Sequence, residues 1–372
     1  MKKTLVALAA ATAMCGASAA SLTLYGIVDT GFAYNSVNAD NYDDLATLDG
    51  DSFAMKSGQS SGSRFGFKGE EELGNGVSVG FVLENGFSSD TGSLGDTDGR
   101  LFNREASLFL EGGFGKFGVG RLSTFANDAG STGIGGYFSS FGTGQGDVGC
   151  QSYMQAYRPS RMDNSIYYKS PNFAGAEVWV MYSMGDEAED TVENESSRDR
   201  YYAAAVTYNN GGLSLFGAVD VLNKASYSEK DGAQDQDDQV TVTAAVNYDC
   251  GFAKSYLGAH WFDNAKGVGG DGGEWGRLSD VNADGWSVMA GVDVPVGSGK
   301  IKTSIGYLDA SSEDDTQDLK RFMAGAAYEH YLSKRTTFYV GAGYLLDNVD
   351  GETTTDSDPS WVQVNAGLKI KF

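Results

Sequence analysis

Several kinds of residue are scarce in this sequence, and each shortage excludes a class of protein. Only two histidines and three cysteines occur among 372 residues, and none of them stands at metal-ligand spacing. No apolar run after the N-terminus approaches the roughly 18 residues of a membrane-spanning helix, which excludes a helical membrane protein. Basic residues number 27 against 50 acidic ones, so nucleic acid is not an expected partner. We expect no metal site and no cofactor.

Proline is also rare, whereas glycine and aromatic residues are abundant. Glycine accounts for 52 residues, and tyrosine and phenylalanine for 20 each. This composition favours strands and tight turns, and it is too aromatic for a disordered chain. All four prolines fall at predicted loops, turns or strand ends, where a missing backbone donor does no harm: Pro159, Pro171, Pro295 and Pro359.

The first residues have the pattern of a secretory signal peptide. Lys2 and Lys3 form a basic start, residues 5–14 form an apolar core, and residues 17–19 read Ala-Ser-Ala, a cleavage motif. The sequence therefore predicts a signal peptide at residues 1–19, and cleavage after residue 20 fits the pattern equally well. The remaining residues, 20–372, form the predicted barrel domain.

The last dozen residues alternate strictly between an apolar and a polar face, and a period of two indicates a strand. The apolar face holds Val362, Val364, Ala366, Leu368, Ile370 and Phe372. The other face holds Trp361, Gln363, Asn365, Gly367, Lys369 and Lys371. An apolar face opposite a charged face over about ten residues is typical of a transmembrane β-barrel strand.

The same unit of strand, short turn, strand and long acidic loop repeats along the chain. Short turns are predicted at residues 74–76, 112–115, 170–175, 209–212, 249–252, 295–299 and 332–335. Seven hairpins with the first and last strands make sixteen antiparallel strands. Such a barrel has short periplasmic turns, long external loops and an aqueous channel. The acidic loops fit the external side: residues 186–199 hold seven acids and residues 309–319 hold five.

One connection, residues 124–160, differs from the other long loops. It is the longest, holds eight glycines and carries few charges, namely Asp128, Asp147 and Arg158. A long loop that is low in charge can lie inside a lumen, whereas a solvent-exposed loop here would be expected to be acidic like its neighbours.

Short segments over the whole mature chain resemble the Gram-negative general porins, in particular the trimeric sixteen-stranded group typical of beta-proteobacteria. They are residues 24–29 (LYGIVD), 63–69 (SRFGFKG), 103–106 (NREA), 120–121 (GR), 163–168 (DNSIYY), 170–171 (SP), 331–336 (YLSKRT) and Phe372. The resemblance implies a homotrimer in the outer membrane that contacts lipid and lipopolysaccharide and lets small hydrophilic solutes diffuse. It implies that the third loop, residues 124–160, folds into the lumen as a constriction. It also implies that Phe372 is read by the assembly machinery.

Candidate permeation residues are basic side chains on the lumen wall. Arg64 and Lys68 share the inward parity of one strand. Arg104 and Arg161 match positions where the resemblance implies basic wall residues. Strict alternation places both Arg104 and Arg121 on the lipid face. A bulge, or a position above the apolar band, would allow such a side chain to avoid lipid.

A basic wall facing an acidic loop sets a transverse field across the opening, and fixed charges select ions by sign. The resemblance implies a preference for anions. Asp128 and Asp147 supply the acids of the loop, and Arg158 lies beside them. Lumen-facing Asp29, Glu70 and Glu84 argue for weak selectivity.

Other functions remain open at this point. A substrate-selective channel would use a basic or aromatic ladder through the lumen, and an adhesin would use the long loops. A lipid hydrolase needs a Ser-His-acid set, and only His260 and His330 are available; we expect no enzyme. No disulfide is expected between Cys150 and Cys250, because they are predicted on opposite sides of the barrel.

Overall fold

The computed structural model of the chain describes residues 21–39, 49–95, 99–137, 139–142, 144, 148–156, 159–185, 199–223, 237–268, 277–314, 316–351 and 358–372. Within these residues the backbone forms seventeen strand segments of one sheet. They are β1 Ser21–Asn38, β2 Gly50–Ser57, β3 Arg64–Gly74, β4 Val77–Gly86, β5 Glu105–Gly112, β6 Gly115–Ser123, β7 Arg161–Lys169, β8 Ala176–Ser183, β9 Arg200–Asn210, β10 Leu213–Asn223, β11 Gln239–Asp249, β12 Lys254–Val268, β13 Arg277–Val296, β14 Gly299–Ser312, β15 Gln317–Tyr331, β16 Thr336–Gly351 and β17 Ser360–Lys371.

The segments close into a sixteen-stranded antiparallel barrel. Each strand pairs with its neighbour in the chain, and β17 pairs with β1 to close the sheet. Segments β2 and β3 both pair with β1, on its upper and lower halves, and together count as one strand of the barrel. All seven short turns lie where the sequence predicts them. The fold prediction is confirmed.

The sequence does not predict segment β2, because the residues between the first strand and residue 60 form a polar, acidic stretch. Gly50–Ser57 is a strand that pairs with β1 from Thr30 to Val37. Its residues are mostly small or polar, and only Phe53 and Met55 supply an apolar alternation. That pattern is too short to indicate a strand without its partner.

The two faces of the wall follow the predicted parity. Along β17, Val362, Val364 and Leu368 are exposed on the outside, whereas Gln363 and Asn365 are buried inside. An outward face of apolar side chains suits lipid, and the inward polar groups meet water or the third loop. None of the described helices, which are short turns such as Gln151–Met154, is long and apolar enough to cross a bilayer.

The third loop, residues 124–160, folds into the lumen as predicted. The Ser140 hydroxyl donates to the Thr303 carbonyl of β14 at 2.9 Å. The Asn247 amide of β11 donates to the Tyr137 carbonyl at 3.2 Å. Asn247 faces inward and is buried, and Ser140 reaches the backbone of β14. The loop therefore crosses the interior and rests on the side opposite β3.

Apolar packing fills the space between the loop and this wall. The ring of Phe125 meets Trp179 edge-on at a centroid distance of 6.0 Å, and Tyr153 lies 6.0 Å from Trp361. Buried wall side chains of the same cluster are Met162, Met181, Met289, Leu308, Leu319, Met323 and Leu345. Packing against so many apolar groups anchors the loop to the wall.

Both mature cysteines are free thiols, as expected, but they differ in exposure. Cys150 is fully buried in the third loop, with the Ser304 hydroxyl at 3.0 Å, and Cys250 is exposed in the turn between β11 and β12. We expect a maleimide to label one thiol per folded chain and two per denatured chain, counted by intact mass. The Cys250→Ser variant should stay unlabelled until it is denatured. Labelling of that folded variant would contradict the placement of Cys150.

Candidate permeation constriction

Two arginines of the inner wall share one carboxylate. Arg64 is the first residue of β3, and Arg104 stands just before β5. The Nε of Arg104 lies 2.7 Å from Glu84 Oε1, and Nη1 of Arg64 lies 3.9 Å from the same oxygen. The Tyr25 hydroxyl donates to the other oxygen of Glu84 at 3.0 Å. Two positive charges therefore surround one negative charge.

Arg161 joins this group from the other end of the third loop. It is the first residue of β7. Its Nε donates to the Arg104 carbonyl at 2.8 Å, and Nη1 lies 3.3 Å from the Ser160 hydroxyl. The structure thus brings together three of the four predicted wall residues.

Arg104 and Arg121 avoid the lipid face for two different reasons. Arg104 precedes its strand, so the alternation of β5 does not apply to it. At Arg121 a β-bulge interrupts the register between Gly120 and Leu122, and Gly120 has φ +131. A bulge adds a residue and reverses parity, which turns Arg121 inward. Its guanidinium pairs with Asp163, which also binds Arg100 at 3.2 Å.

Lys68 lies apart from the arginine group. It is four residues further along β3, about 13 Å at the rise of an extended strand. Its side chain is exposed, with Nζ 5.6 Å from the centre of the Tyr25 ring. Lys68 faces the wide periplasmic half of the lumen.

Of the three charges predicted in the third loop, the structure describes one. Asp128 lies close enough to Arg64 for their charges to interact across the lumen. Its carboxylate also contacts Gly142 of the same loop. Asp147 and Arg158 lie outside the described residues.

Glu105 has a role that the sequence reasoning missed. This fully buried residue opens β5 and binds the start of the third loop: the Ser131 amide donates to Oε2 at 2.9 Å, and the Ser131 hydroxyl binds Oε1. Ser107 donates to Oε1 at 2.7 Å. The only sequence signal is an acid at an inward position in the NREA segment.

The predicted lumen acids have different surroundings. Asp29 is fully buried and bound by neighbouring groups, and Glu84 is shared by two arginines. Only Glu70 of the three is exposed, and it accepts a bond from Ser78 at 2.6 Å. The three carboxylates therefore offset less of the positive charge of the wall than their number suggests.

A polar cleft of about 400 Å³ opens beside the arginine group. Arg104, Arg121 and Arg161 line it, together with Asn103. Donors converge on this space from three strands, so it can receive acceptor groups of a passing solute.

Neither histidine lies where a lipid-directed reaction would need it. His260 is buried against the third loop, where its ring binds the Thr243 hydroxyl at 2.9 Å and accepts from the Ala156 amide at 3.2 Å. His330 lies next to the turn that follows β15, as predicted, and binds the Tyr328 hydroxyl. Within the described residues, no group of His, Cys, Asp and Glu side chains could hold a metal ion.

A closed sixteen-stranded barrel, narrowed by an inward loop beside a basic wall, defines a diffusion channel of the outer membrane. The chain belongs to the Gram-negative porin family, which matches residues 6–351. It is an outer-membrane porin, a water-filled channel for the passive transport of small hydrophilic solutes and ions.

Relatives of this chain span its length. An outer membrane porin protein of Bordetella pertussis is 32% identical, over 100% of both chains. The outer membrane porin protein 32 of Delftia acidovorans is 32% identical, over 95% of this chain and 92% of its own. Among solved structures, the anion-selective porin from Comamonas acidovorans superposes with a TM-score of 0.67 at 25% identity, over 95% of this chain and 100% of that one.

Proposed function

We propose that this general diffusion porin weakly prefers anions. The observation that carries the proposal is the group of Arg64, Arg104 and Arg161 around the single carboxylate of Glu84. An excess of fixed positive charge at the narrow part lowers the energy of a passing anion and raises that of a cation. The anion-selective porin with which this barrel superposes supports the same interpretation. Lys68 would extend the attraction toward the periplasm.

We also propose a homotrimer that contacts outer-membrane lipid and lipopolysaccharide. Phe32 and Phe53 stack on the outward face of β1 and β2, with ring centroids 5.6 Å apart, and offer a flat apolar surface to a neighbouring subunit. Phe372 exchanges two backbone hydrogen bonds of 3.1 Å with Gly26 and presents its ring outward, where the assembly machinery would read it. The signal peptide, residues 1–19, lies outside the described residues. Catalysis forms no part of the proposal.

The selectivity proposal is tested by the reversal potential in a potassium chloride gradient across a planar bilayer. We expect Arg64→Ala to lower the chloride permeability by up to roughly fivefold, and the chloride-to-potassium permeability ratio with it, because a charge about 4 Å from an ion contributes about 1 kcal/mol in water. Glu84→Gln should raise the ratio, since it removes the carboxylate between two arginines.

The matched control for this test is Arg335→Ala, which removes an exposed arginine in the turn after β15. It should leave the reversal potential unchanged. If Arg64→Ala and Arg335→Ala behave alike, or if Glu84→Gln lowers the ratio, the arginine group does not set selectivity.

The cleft lined by Arg104, Arg121 and Arg161 favours a second candidate, a channel selective for small solutes that carry carboxylate or phosphate groups. Such a channel would hold the solute long enough to interrupt the ion current. Inorganic phosphate at micromolar concentration should then block the conductance in steps, and Arg161→Ala should relieve the block. An ion current that phosphate does not change supports general diffusion instead.

A further inference from the structure

The wall of the barrel is interrupted between β2 and β3. Thr30 of β1 pairs with Ser57, and Ile27 pairs with Arg64. Six residues, 58–63, thus stand opposite only two residues of β1, Val28 and Asp29. The backbone hydrogen bonds between two strands cannot pair six residues with two, so the chain has to leave the plane of the wall here. We call residues 58–63 the shelf.

The shelf projects into the lumen, because lumen-facing side chains of three strands hold it. The Asp29 carboxylate of β1 accepts a hydrogen bond from the Ser61 amide at 2.7 Å. The Tyr339 hydroxyl of β16 donates to the other oxygen of Asp29 at 2.6 Å. Lys369 Nζ of β17 donates to the Ser60 hydroxyl at 2.7 Å.

The third loop meets the shelf from the opposite side. A Cβ atom added at Gly144 would lie 2.5 Å from the Ser60 carbonyl, so loop and shelf are in direct contact. At its other end the shelf leads directly into Arg64, and a Cβ at Gly62 would lie 3.2 Å from the Arg104 guanidinium. The shelf is therefore clamped between the wall and the third loop, next to the arginine group.

The carboxylate and the backbone of Asp29 hold different parts of the shelf. The Asp29 carbonyl accepts from the Gly58 amide at 2.9 Å and from the Ser63 hydroxyl at 3.0 Å, at the two ends. The carboxylate holds the middle, at Ser61. A change of the Asp29 side chain would thus loosen the middle of the shelf, which Lys369 would still hold from the wall at Ser60 and Ser61, while the two ends stay attached. Since Asp29 has no exposed surface, its charge does not meet permeating ions.

We propose that Asp29 is a positioning residue for conduction, with Tyr339 and Lys369 as its partners. Together they hold the shelf against the wall, so that shelf and third loop jointly define the width of the pore beside Arg64. The inference concerns the shape of the opening and does not depend on the sign of the ion preference.

The test is the unitary conductance of the full-length protein in planar bilayers, for Asp29→Asn and Tyr339→Phe. Both substitutions loosen the middle of the shelf. The shelf has the wall of β1 behind it, so added movement carries it and the third loop further into the pore. We expect both to shift the conductance downward, outside the spread of wild-type channels, and to add brief partial closures. Tyr339→Phe changes no charge, so a purely electrostatic role of Asp29 would leave that variant with wild-type current.

The matched control is Asp220→Asn. Asp220 is buried, and it accepts a hydrogen bond from the Tyr201 hydroxyl of β9, on the other side of the barrel. This control should conduct like wild type. Equal shifts of the unitary conductance in Asp220→Asn and Asp29→Asn would show general loosening of the barrel and overturn the proposal. A Tyr339→Phe channel with the wild-type conductance and no partial closures would also overturn it.

A substitution in the third loop gives a test that does not depend on whether the Asp29→Asn protein folds. Gly144→Ala adds one methyl group against the Ser60 carbonyl and keeps every contact of Asp29, Tyr339 and Lys369. It should also shift the unitary conductance, because loop or shelf must move. If Asp29→Asn does not fold, unchanged current in both Tyr339→Phe and Gly144→Ala overturns the proposal, and shifts in both support it.

Discussion

Replacing Asp347 by alanine is expected to destabilise the folded barrel by about 3–5 kcal/mol, the cost of breaking a buried ion pair from one side. Asp347 and Arg321 have no exposed surface. They form a two-pronged pair, with Arg321 Nε 2.7 Å from Oδ1 and Nη2 2.8 Å from Oδ2. Removal of the carboxylate leaves the guanidinium charge in an apolar setting beneath the third loop.

The same substitution should disturb conduction as well as stability. Arg321 Nη1 donates to the Tyr153 carbonyl at 3.3 Å, and the guanidinium lies 6.0 Å from the centre of the Tyr153 ring. The pair therefore supports the part of the third loop that packs on β15 and β16. Without Asp347, we expect a broader distribution of unitary conductance, because this support is weakened.

Stability is measured by the urea midpoint of folding into lipid vesicles, followed by tryptophan fluorescence. The control is the double variant Arg321→Met with Asp347→Leu, which fills the site with apolar groups and leaves no unpaired charge. It should recover most of the loss, since apolar replacement of a buried pair is often neutral or stabilising. If Asp347→Ala alone is as stable as wild type, the ion pair is hydrated rather than buried.

Replacing Gly325 by alanine is expected to displace the third loop and to cost about 1–3 kcal/mol, the usual range for overpacking. Gly325 lies on the inner face of β15, and a Cβ atom there would overlap the carbonyl of Val148, which is fully buried. Backbone atoms cannot rotate away as a flexible side chain does. The loop must therefore move into the lumen, and the unitary conductance should change.

The matched control is Gly217→Ala, on the wall at β10, where an added Cβ meets nothing within 4 Å. That variant should be neutral, or more stable by up to about 0.5–1 kcal/mol because alanine restricts the unfolded chain. The urea midpoint and the unitary conductance are compared for both variants. Identical behaviour of the two would indicate that the third loop does not rest on β15.

The regular part of the fold was predictable because each strand carries its own local signal. Alternation over ten residues indicates both a strand and its inward face, as at Gln363 and Val364. Glycine or proline marks six of the seven turns, and the polar segment Leu-Ser-Lys-Arg marks the turn at residues 332–335. The low charge of residues 124–160 indicated an inward loop, because a loop in the lumen faces the wall rather than bulk water.

The candidate site was predictable only where the alternation is regular. Arg64 and Lys68 follow the parity of β3, and their inward direction could be read directly. Arg104 and Arg121 could not be placed, because one precedes its strand and the other follows a bulge at Gly120. A bulge changes the pairing of two strands, and a pairing is not visible in either strand alone.

What the sequence determined by itself is the periodic part of this porin: the number of strands, their turns, the face that a side chain takes where the alternation is unbroken, and the identity of the inward loop. Only the tertiary structure decided which charges meet. Asp29 faces the lumen as expected, but it is buried beneath the shelf, with a partner 310 residues away in Tyr339. Arg321 and Asp347 likewise pair only across two strands. Local patterns encode a face, whereas a contact between distant residues depends on register, bulges and the path of the loop.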